Sequence, residues 1–502
     1  LKSKILNNLL VIGALLVNAL VYGQSTFNNY YVSGRFSGVN HIITEPNGDY
    51  LLTGYYKDSS TLTQGFECRR INSLGTTIKR KRFLIGNDDI GVFFKNKQVL
   101  NFNNTKYFYT GGTYTGTLST VLFAAIDKNT MDTLWCKRFM DGDDRYMAHL
   151  FKINSNQIWI VGTKFNSTSP NVFDIIKYDT LGNLVGTKTF TAYTGYECYN
   201  IAYDAANAKF YTAGLNFNTN PLTSYNLACI DTSGNVIWNN QIWNNNNLFY
   251  NDIQLFNNEI YLCGSLKVST ILGSGEFKLA FAKYQKSNGS LVVSKNYCNA
   301  FLGNQFNSMY IKNNSVFLTG AVSTQTNLYN GYRHAGIFFK IKHNGDSTSM
   351  KLYNHFTGNL DNLEMFFDIK ECNDGGFIMG GVPVYVTAPQ SQNWVVKTDS
   401  NGVGPGMVTV SIKEFSSTNL KLTIYPIPTN DLLNIEFNTL KEQTYPEGKI
   451  ILINELGQKL KEQEINISDK KISLDIKDIP KGIYILQVKI GTESFMQKVV
   501  KE

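Results

Sequence analysis

The chain has 502 residues, of which 43% are hydrophobic, 13% aromatic and only 17% charged, with a net charge of +8. That length accommodates two or three ordinary domains, or one large repeat array plus a small domain, and abundant Tyr and Phe with turn-forming Gly and Asn indicate an all-β protein. Lysines and arginines are dispersed, which excludes a nucleic-acid footprint; the densest run, Lys79-Arg80-Lys81-Arg82, reads as a solvated strand end with alternate residues on opposite sides.

At the N-terminus, Lys2 and Lys4 precede an apolar stretch over 5–22. Val21 and Gly23 are small enough for signal peptidase at its −3 and −1 positions, so cleavage is expected between Gly23 and Gln24. Residues 1–23 are then a signal peptide handled by the Sec translocon. Asn7, Asn8 and Asn18 make the stretch too polar for an anchor, and no transmembrane segment is expected after processing. The seven cysteines (Cys68, Cys136, Cys198, Cys229, Cys263, Cys298 and Cys372) are odd in number and scattered, without a C-x-x-C pair. They form no disulfide framework and no zinc site.

From about 24 to 402 the chain repeats itself. An apolar run ending at glycine recurs as Tyr50-Leu-Leu-Thr-Gly54, Tyr107-Phe-Tyr-Thr-Gly-Gly112, Ile158-Trp-Ile-Val-Gly162, Phe210-Tyr-Thr-Ala-Gly214, Ile260-Tyr-Leu-Cys-Gly264, Val316-Phe-Leu-Thr-Gly320 and Phe377-Ile-Met-Gly-Gly381. A second strand follows each and runs into an Asp-x-x-Gly-like turn. The clearest are Asp179-Thr-Leu-Gly182, Asp231-Thr-Ser-Gly234 and Asp399-Ser-Asn-Gly402. Aspartate hydrogen-bonds the backbone ahead of it and glycine supplies the positive φ of a hairpin. With an opening strand and an aromatic-rich closing strand, each unit offers four antiparallel strands. Seven such units give a seven-bladed β-propeller. The seventh unit stops at Gly402 without its closing strand, whereas Asn29-Tyr-Tyr-Val-Ser-Gly34 matches Asn296-Tyr-Cys298. The N-terminal segment is therefore expected to complete the last blade.

Residues 403–417 read as a linker, broken by Gly404-Pro405-Gly406. From 418 to 502, short alternating runs suggest a small Ig-like β-sandwich. Here Tyr425-Pro426-Ile427-Pro428, the Gly457 turn in Ile453-Asn-Glu-Leu-Gly-Gln-Lys-Leu460, Gly482-Ile-Tyr484 and the end Phe495-Met-Gln-Lys498-Val-Val-Lys-Glu502 resemble the type A C-terminal sorting domain of the type IX (Por) secretion system of Bacteroidota. The family usually has Asn where this chain has Ile427. The resemblance implies export through the periplasm to the outer-membrane surface or the medium. It also implies two partners, the type IX translocon and its sorting protease, with Tyr425, Pro426, Pro428, Gly457, Gly482, Tyr484 and Lys498 as sorting-motif residues. The repeat region resembles the propellers found ahead of such domains.

A search for chemistry finds mostly structure. His41, His149, His334, His343 and His355 fall in different units, and there is no G-x-S-x-G elbow, phosphate loop or zincin helix. The run Asp231-Thr-Ser-Gly-Asn-Val-Ile-Trp238 only partly matches a sialidase box, and Trp135 and Trp238 are too few for a quinone-cofactor propeller. Calcium is the one cofactor suggested: Asp88 and Asp89, and Asp141, Asp143 and Asp144, occupy equivalent inter-blade loops. Paired carboxylates beside glycine can wrap Ca²⁺, although the full ligand spacing is missing. The favoured reading is a binding or structural propeller without a locally encoded active site. Its ligand, a surface polysaccharide or protein, would meet loops 216–225, 265–276 and 323–334. The alternative is a secreted hydrolase or lyase whose carboxylates gather from different blades.

Overall fold

The computed structural model describes residues 24–502 apart from 34–35, 59–62, 85–88, 92–97, 115–118, 166–170, 195, 217–223, 244–247, 270–275, 302–303, 313, 324–333, 355–361, 386–390, 409–419, 440–447, 455–458, 466–470 and 491–492. Every described regular element is a β-strand. The chain divides into two compact units between Thr409 and Val410.

In the first unit the strands come in antiparallel fours, except that the innermost strand of blade 2 is in two pieces, Asp89–Gly91 and Val99–Asn101, both paired with Lys106–Tyr114. Blades 1 to 6 cover 36–83, 89–139, 144–194, 196–243, 248–301 and 305–353, and blade 7 begins at 362–398. Blade 3 is typical: Asp144–Lys152, Gln157–Phe165, Val172–Asp179 and Leu184–Thr194 pair in chain order. The turn before its outer strand is held by Asp179, whose Oδ1 accepts the amides of Leu181 (2.9 Å) and Asn183 (2.8 Å), while Gly182 takes φ +84°. Blade 2 has no glycine there. Met131 adopts φ 56° instead and buries its side chain completely between blades 1 and 2.

The recurring strand glycine also has a steric cause. Opposite it, the first strand of each of blades 1, 4, 5, 6 and 7 slips register by one residue. Such a bulge bends the strand toward its partner. A Cβ on Gly54, Gly264, Gly320 or Gly381 would lie 1.8, 1.9, 2.0 or 1.9 Å from the carbonyl oxygen of Gly38, Phe249, Gln305 or Met365. Only glycine fits.

The second and third strands are apolar on both faces because both are covered. Tyr107 and Tyr109 pack toward blade 1, and Phe108 between them packs toward blade 3. Seven buried apolar clusters fill seven seams, one between each pair of successive blades and one between blades 7 and 1. The last of these unites Val39, Ile42, Leu52 and Ile71 with Phe27, Cys372, Ile378 and Val395, and so closes the ring.

Blade 7 takes its outer strand from the start of the described chain: Phe27–Tyr31 pairs antiparallel with Asn393–Thr398, from Phe27 opposite Lys397 to Tyr31 opposite Asn393. This strand performs the duty of the other outer strands. Several of them place an aromatic or amide group on the turn of the next blade: Trp135 on Gly182, Trp238 on Gly289 and Tyr297 on Gly345, with Phe27 and Asn29 on Gly75. Tyr297 Oη donates to Gly345 O (2.6 Å), as Tyr31 Oη does to Gly75 O (2.5 Å). All seven cysteines are free thiols.

The stretch after Gly402 differs from the expected linker. Gly406, at φ +77°, turns the chain so that its carbonyl accepts Asn354 N (3.0 Å), and Met407–Val408 then pairs with Leu352 and Tyr353 on the outer edge of blade 6. Residues 403–408 thus belong to the propeller.

The second unit is a sandwich. One sheet orders Leu420–Tyr425, Leu432–Thr439 and Lys471–Asp475; the other orders Lys459–Ile465, Gly448–Asn454, Gly482–Ile490 and Glu493–Lys501. Alternate residues from the two sheets, among them Leu433, Ile435, Ile450, Leu452, Leu486 and Val499, form its core.

Candidate functional site

The residue following each first-strand bulge is polar in six blades: His41, His149, Asn200, Asp252, Ser308 and Asp368. Five of these positions, His41, Asn200, Asp252, Ser308 and Asp368, make contacts across the seams nearest the ring axis. Asn200 Nδ2 donates to Tyr250 O (2.5 Å), and Asp252 Oδ2 accepts Met309 N (3.1 Å). The bulged residues add to this: Asn251 Nδ2 donates to Phe306 O (2.8 Å) and Asn307 Nδ2 to Phe366 O (2.7 Å).

Asp368, fully buried, is the centre of this belt. Its Oδ1 accepts Ser308 Oγ (3.1 Å), Ile369 N (2.9 Å) and Lys370 Nζ (2.6 Å); its Oδ2 accepts Ile42 N (2.8 Å) and lies 2.8 Å from His41 Nδ1. Burial alone would raise its pKa, but Lys370 and His41 outweigh burial and hold the carboxyl well below the ordinary carboxylate range. A serine, a histidine and an aspartate meet here without forming a relay. Ser308 and His41 both address the carboxylate, so the imidazole does not stand between hydroxyl and acid as nucleophile activation requires.

Other buried carboxylates are likewise engaged across seams. Glu45 meets Lys128 (3.1 Å) and Tyr107 Oη, and Asp204 meets Lys286 (2.5 Å). Glu67 ties blade 1 to the closing strand: it accepts Ser33 Oγ (2.6 Å), Arg69 Nη2 (3.0 Å), Arg82 Nε (3.0 Å) and Asn393 Nδ2 (3.1 Å).

Of the calcium candidates, Asp88 lies outside the described residues and Asp89 opens a short strand opposite Tyr114. Asp141 directs both oxygens at Arg145, which also donates to buried Asp174 (2.7 Å); Asp143 pairs with Lys164. Burial works against the Asp141 carboxylate, but Arg145 outweighs it and lowers the pKa. Asp144 opens the first strand of blade 3. Among the described residues no three His, Cys, Asp or Glu converge as metal ligands would.

Gly23 lies outside the described residues, whereas Gln24 is built into the ring. Its Nε2 donates to Asp374 O (2.7 Å) and its Oε1 accepts Ser400 N (2.8 Å). Next to it, fully buried Lys397 donates to Ser25 O (2.6 Å) and pairs with Asp374 (2.5 Å). Gln24, Asp374, Asp399, Asn401 and Gly404 line an open depression of about 710 Å³. The three loops expected to bind ligand connect second and third strands of blades 4, 5 and 6, and their residues 217–223, 270–275 and 324–333 lie outside the described ones.

In the sandwich, the two ends of the domain meet. After Tyr425, the loop containing Pro426 and Pro428, both preceded by cis peptide bonds, runs beside the last strand: Thr429 N donates to Val500 O (2.9 Å) and Glu502 N to Thr429 O (3.0 Å). Lys471 Nζ lies 5.3 Å from the Tyr425 ring centre. Gly482 opens a central strand, and Tyr484 Oη donates to Pro480 O (2.5 Å). Lys498 lies in the last strand opposite Ile485, and Gly457 falls outside the described residues. The sequence reading missed Lys501, whose buried ammonium donates to the carbonyls of Ile476 (2.5 Å), Lys477 (2.8 Å) and Ile479 (2.5 Å).

A family model, the secretion system C-terminal sorting domain, matches residues 423–502. No curated protein matches the chain in sequence. Among solved structures, the chain is similar to the WD40 domain of Neurospora crassa Pan2 (10% identity, TM-score 0.42, 75% of this chain and 99% of that one). It is also similar to Saccharomyces cerevisiae Sqt1 (9%, 0.41, 74% and 98%) and to Pseudomonas brassicacearum lignostilbene dioxygenase (9%, 0.44, 76% and 91%). These likenesses are too distant to bear on function. The sandwich is a C-terminal sorting domain, and the chain is a secreted propeller protein of the type IX route.

Proposed function

We propose that the exported propeller is a binding module for a glycan or protein at the bacterial surface or in the medium, in a member of the Bacteroidota. On this reading the signal peptide is removed before Gln24, the sorting protease cuts between the propeller and the sandwich, and loops between second and third strands meet the ligand. The observation that supports it is the state of Asp368. A general base needs a pKa near the working pH and an open path to substrate. Asp368 is instead buried, strongly ionised and satisfied by five donors from three blades. The polar groups nearest the axis act as seam fasteners, and a rigid ring is the scaffold on which loops recognise partners.

The test exposes the full exported protein to a glycan and surface-protein array, with bound ligand and released product both measured. Retention of one ligand class without product is expected. Turnover of any arrayed glycan would replace this reading with the hydrolase or lyase one.

A further inference from the structure

We propose that the outer edge of blade 1 is a docking strip for an acidic polysaccharide, one bearing sulfate or uronate groups. This inference rests on the binding reading above and adds to it a second contact surface, apart from the loops between second and third strands. The outer strand Thr77–Phe83 reads Thr-Ile-Lys-Arg-Lys-Arg-Phe and lies at the open side of its sheet. Its register sets Lys79 directly opposite Arg70, and Arg80 directly opposite Arg69. Like charges in directly opposed positions destabilise a sheet, and the surrounding carboxylates do not relieve them all. Glu67 serves Arg69 and Arg82, and Asp132 pairs with Lys81 at 2.5 Å while attracting Lys79 from farther off. Among the described residues, Arg70 meets only neutral oxygens, Lys128 O and Tyr107 Oη (3.3 Å), and Arg80 reaches only Val32 O at 3.4 Å. Among the described residues, Arg70, Lys79 and Arg80 form no ion pair.

Guarding an open edge against aggregation is the ordinary reason for charge on such a strand. The outer strands of blades 4 and 7, Val236–Trp243 and Phe27–Tyr31, present the same open edge without one charged residue. Edge protection therefore does not explain why blade 1 alone carries four successive cations. Adjacent strand residues point to opposite sides, so Lys79 and Arg80 flank the edge, with Ile78 53% exposed beside them. A small anion would meet one side. A polymer lying along the edge reaches both, and Ile78 offers apolar contact to the face of a sugar ring.

The experiment titrates the full chain with dextran sulfate, neutral dextran and duplex DNA, following affinity and melting temperature. Lys79→Gln/Arg80→Gln is compared with Lys278→Gln/Lys351→Gln, which removes equal charge from blades 5 and 6. Dextran sulfate is expected to bind in a salt-sensitive way and to raise the melting temperature. The blade 1 variant should lose about tenfold in affinity and the control variant less than about threefold. Without ligand, the blade 1 variant should melt at the same temperature or higher, because like-charge opposition is relieved.

Equal losses in the two variants would reduce the attraction to overall net charge and overturn the proposal, as would a lower unliganded melting temperature. Duplex DNA binding as tightly as dextran sulfate would overturn the polysaccharide assignment. Binding of a neutral glycan or a protein alone would sink this inference and leave the binding reading standing. Absence of any ligand would remove both.

Discussion

Replacing Glu67 by glutamine tests whether the ring is held shut by the polar node beside the closing strand. Glu67 is 2% exposed, and the Arg69 side chain it neutralises is 7% exposed. Removing one partner of a buried pair costs about 3–5 kcal/mol, because the other charge stays buried without compensation. Arg82 is 29% exposed, so its loss adds less than about 1 kcal/mol. Glutamine retains one oxygen for Ser33 or Arg69, but its amide then faces the donors of Arg82 or Asn393. The net expectation is about 3 kcal/mol of lost stability, a large fraction of the roughly 5–15 kcal/mol that holds an ordinary domain together. Urea denaturation of the full chain, followed by tryptophan fluorescence, reads the change; Trp394, on the strand that pairs with the closing strand, is fully buried. The double variant Glu67→Gln/Arg69→Met should recover at least half of the loss, since an apolar replacement for a buried pair is nearly neutral. A Glu67→Gln cost below about 1 kcal/mol, or a double variant weaker than the single one, would refute the closure argument.

Two further predictions concern the belt and the bulges. The folded pKa of Asp368 lies below its unfolded value, so its contribution is complete above about pH 4 and fades as pH falls through the folded value. Stability of the wild type should therefore decline more steeply below about pH 4 than that of Asp368→Asn, and parallel acid profiles in urea melts would disprove the assignment. Gly320→Ala would set a methyl group 2.0 Å from Gln305 O and should cost about 3 kcal/mol. Gly48→Ala meets no neighbour within 4 Å and pays only for its φ of +88°, about 1–2 kcal/mol; equal losses in urea melts would remove the steric account of the repeat.

What was legible in the sequence follows from where the backbone dictates residue type. The strand glycines and the Asp-x-x-Gly turns stood out because a carbonyl pressed on a Cα, or a positive φ, admits almost nothing else. The polar belt did not stand out. His41, Asn200, Asp252, Ser308 and Asp368 do one kind of task with different chemistry, and only their near-constant distance before Gly54, Gly214, Gly264, Gly320 and Gly381 relates them. The turn of blade 2 was legible only in the weaker form Asp127-Lys-Asn-Thr130, because Met131 takes φ 56° there without being glycine. Gly404-Pro405-Gly406 read as a break because a turn leading into a two-residue strand has the composition of a linker. The run Lys79-Arg80-Lys81-Arg82 read as one solvated end, yet Arg82 turns to Glu67 and Lys81 to Asp132. Lys501 was unreadable, since three carbonyls from a loop remote in sequence decide its burial.

The most direct test of the central claim compares cells making the full chain with cells making a chain that lacks 420–502, each fractionated into periplasm, outer surface and medium. With the sorting domain present, the propeller should be found outside the outer membrane. Without it, the propeller should accumulate, folded, in the periplasm. Equal delivery of the truncated chain to the surface or medium would contradict the account.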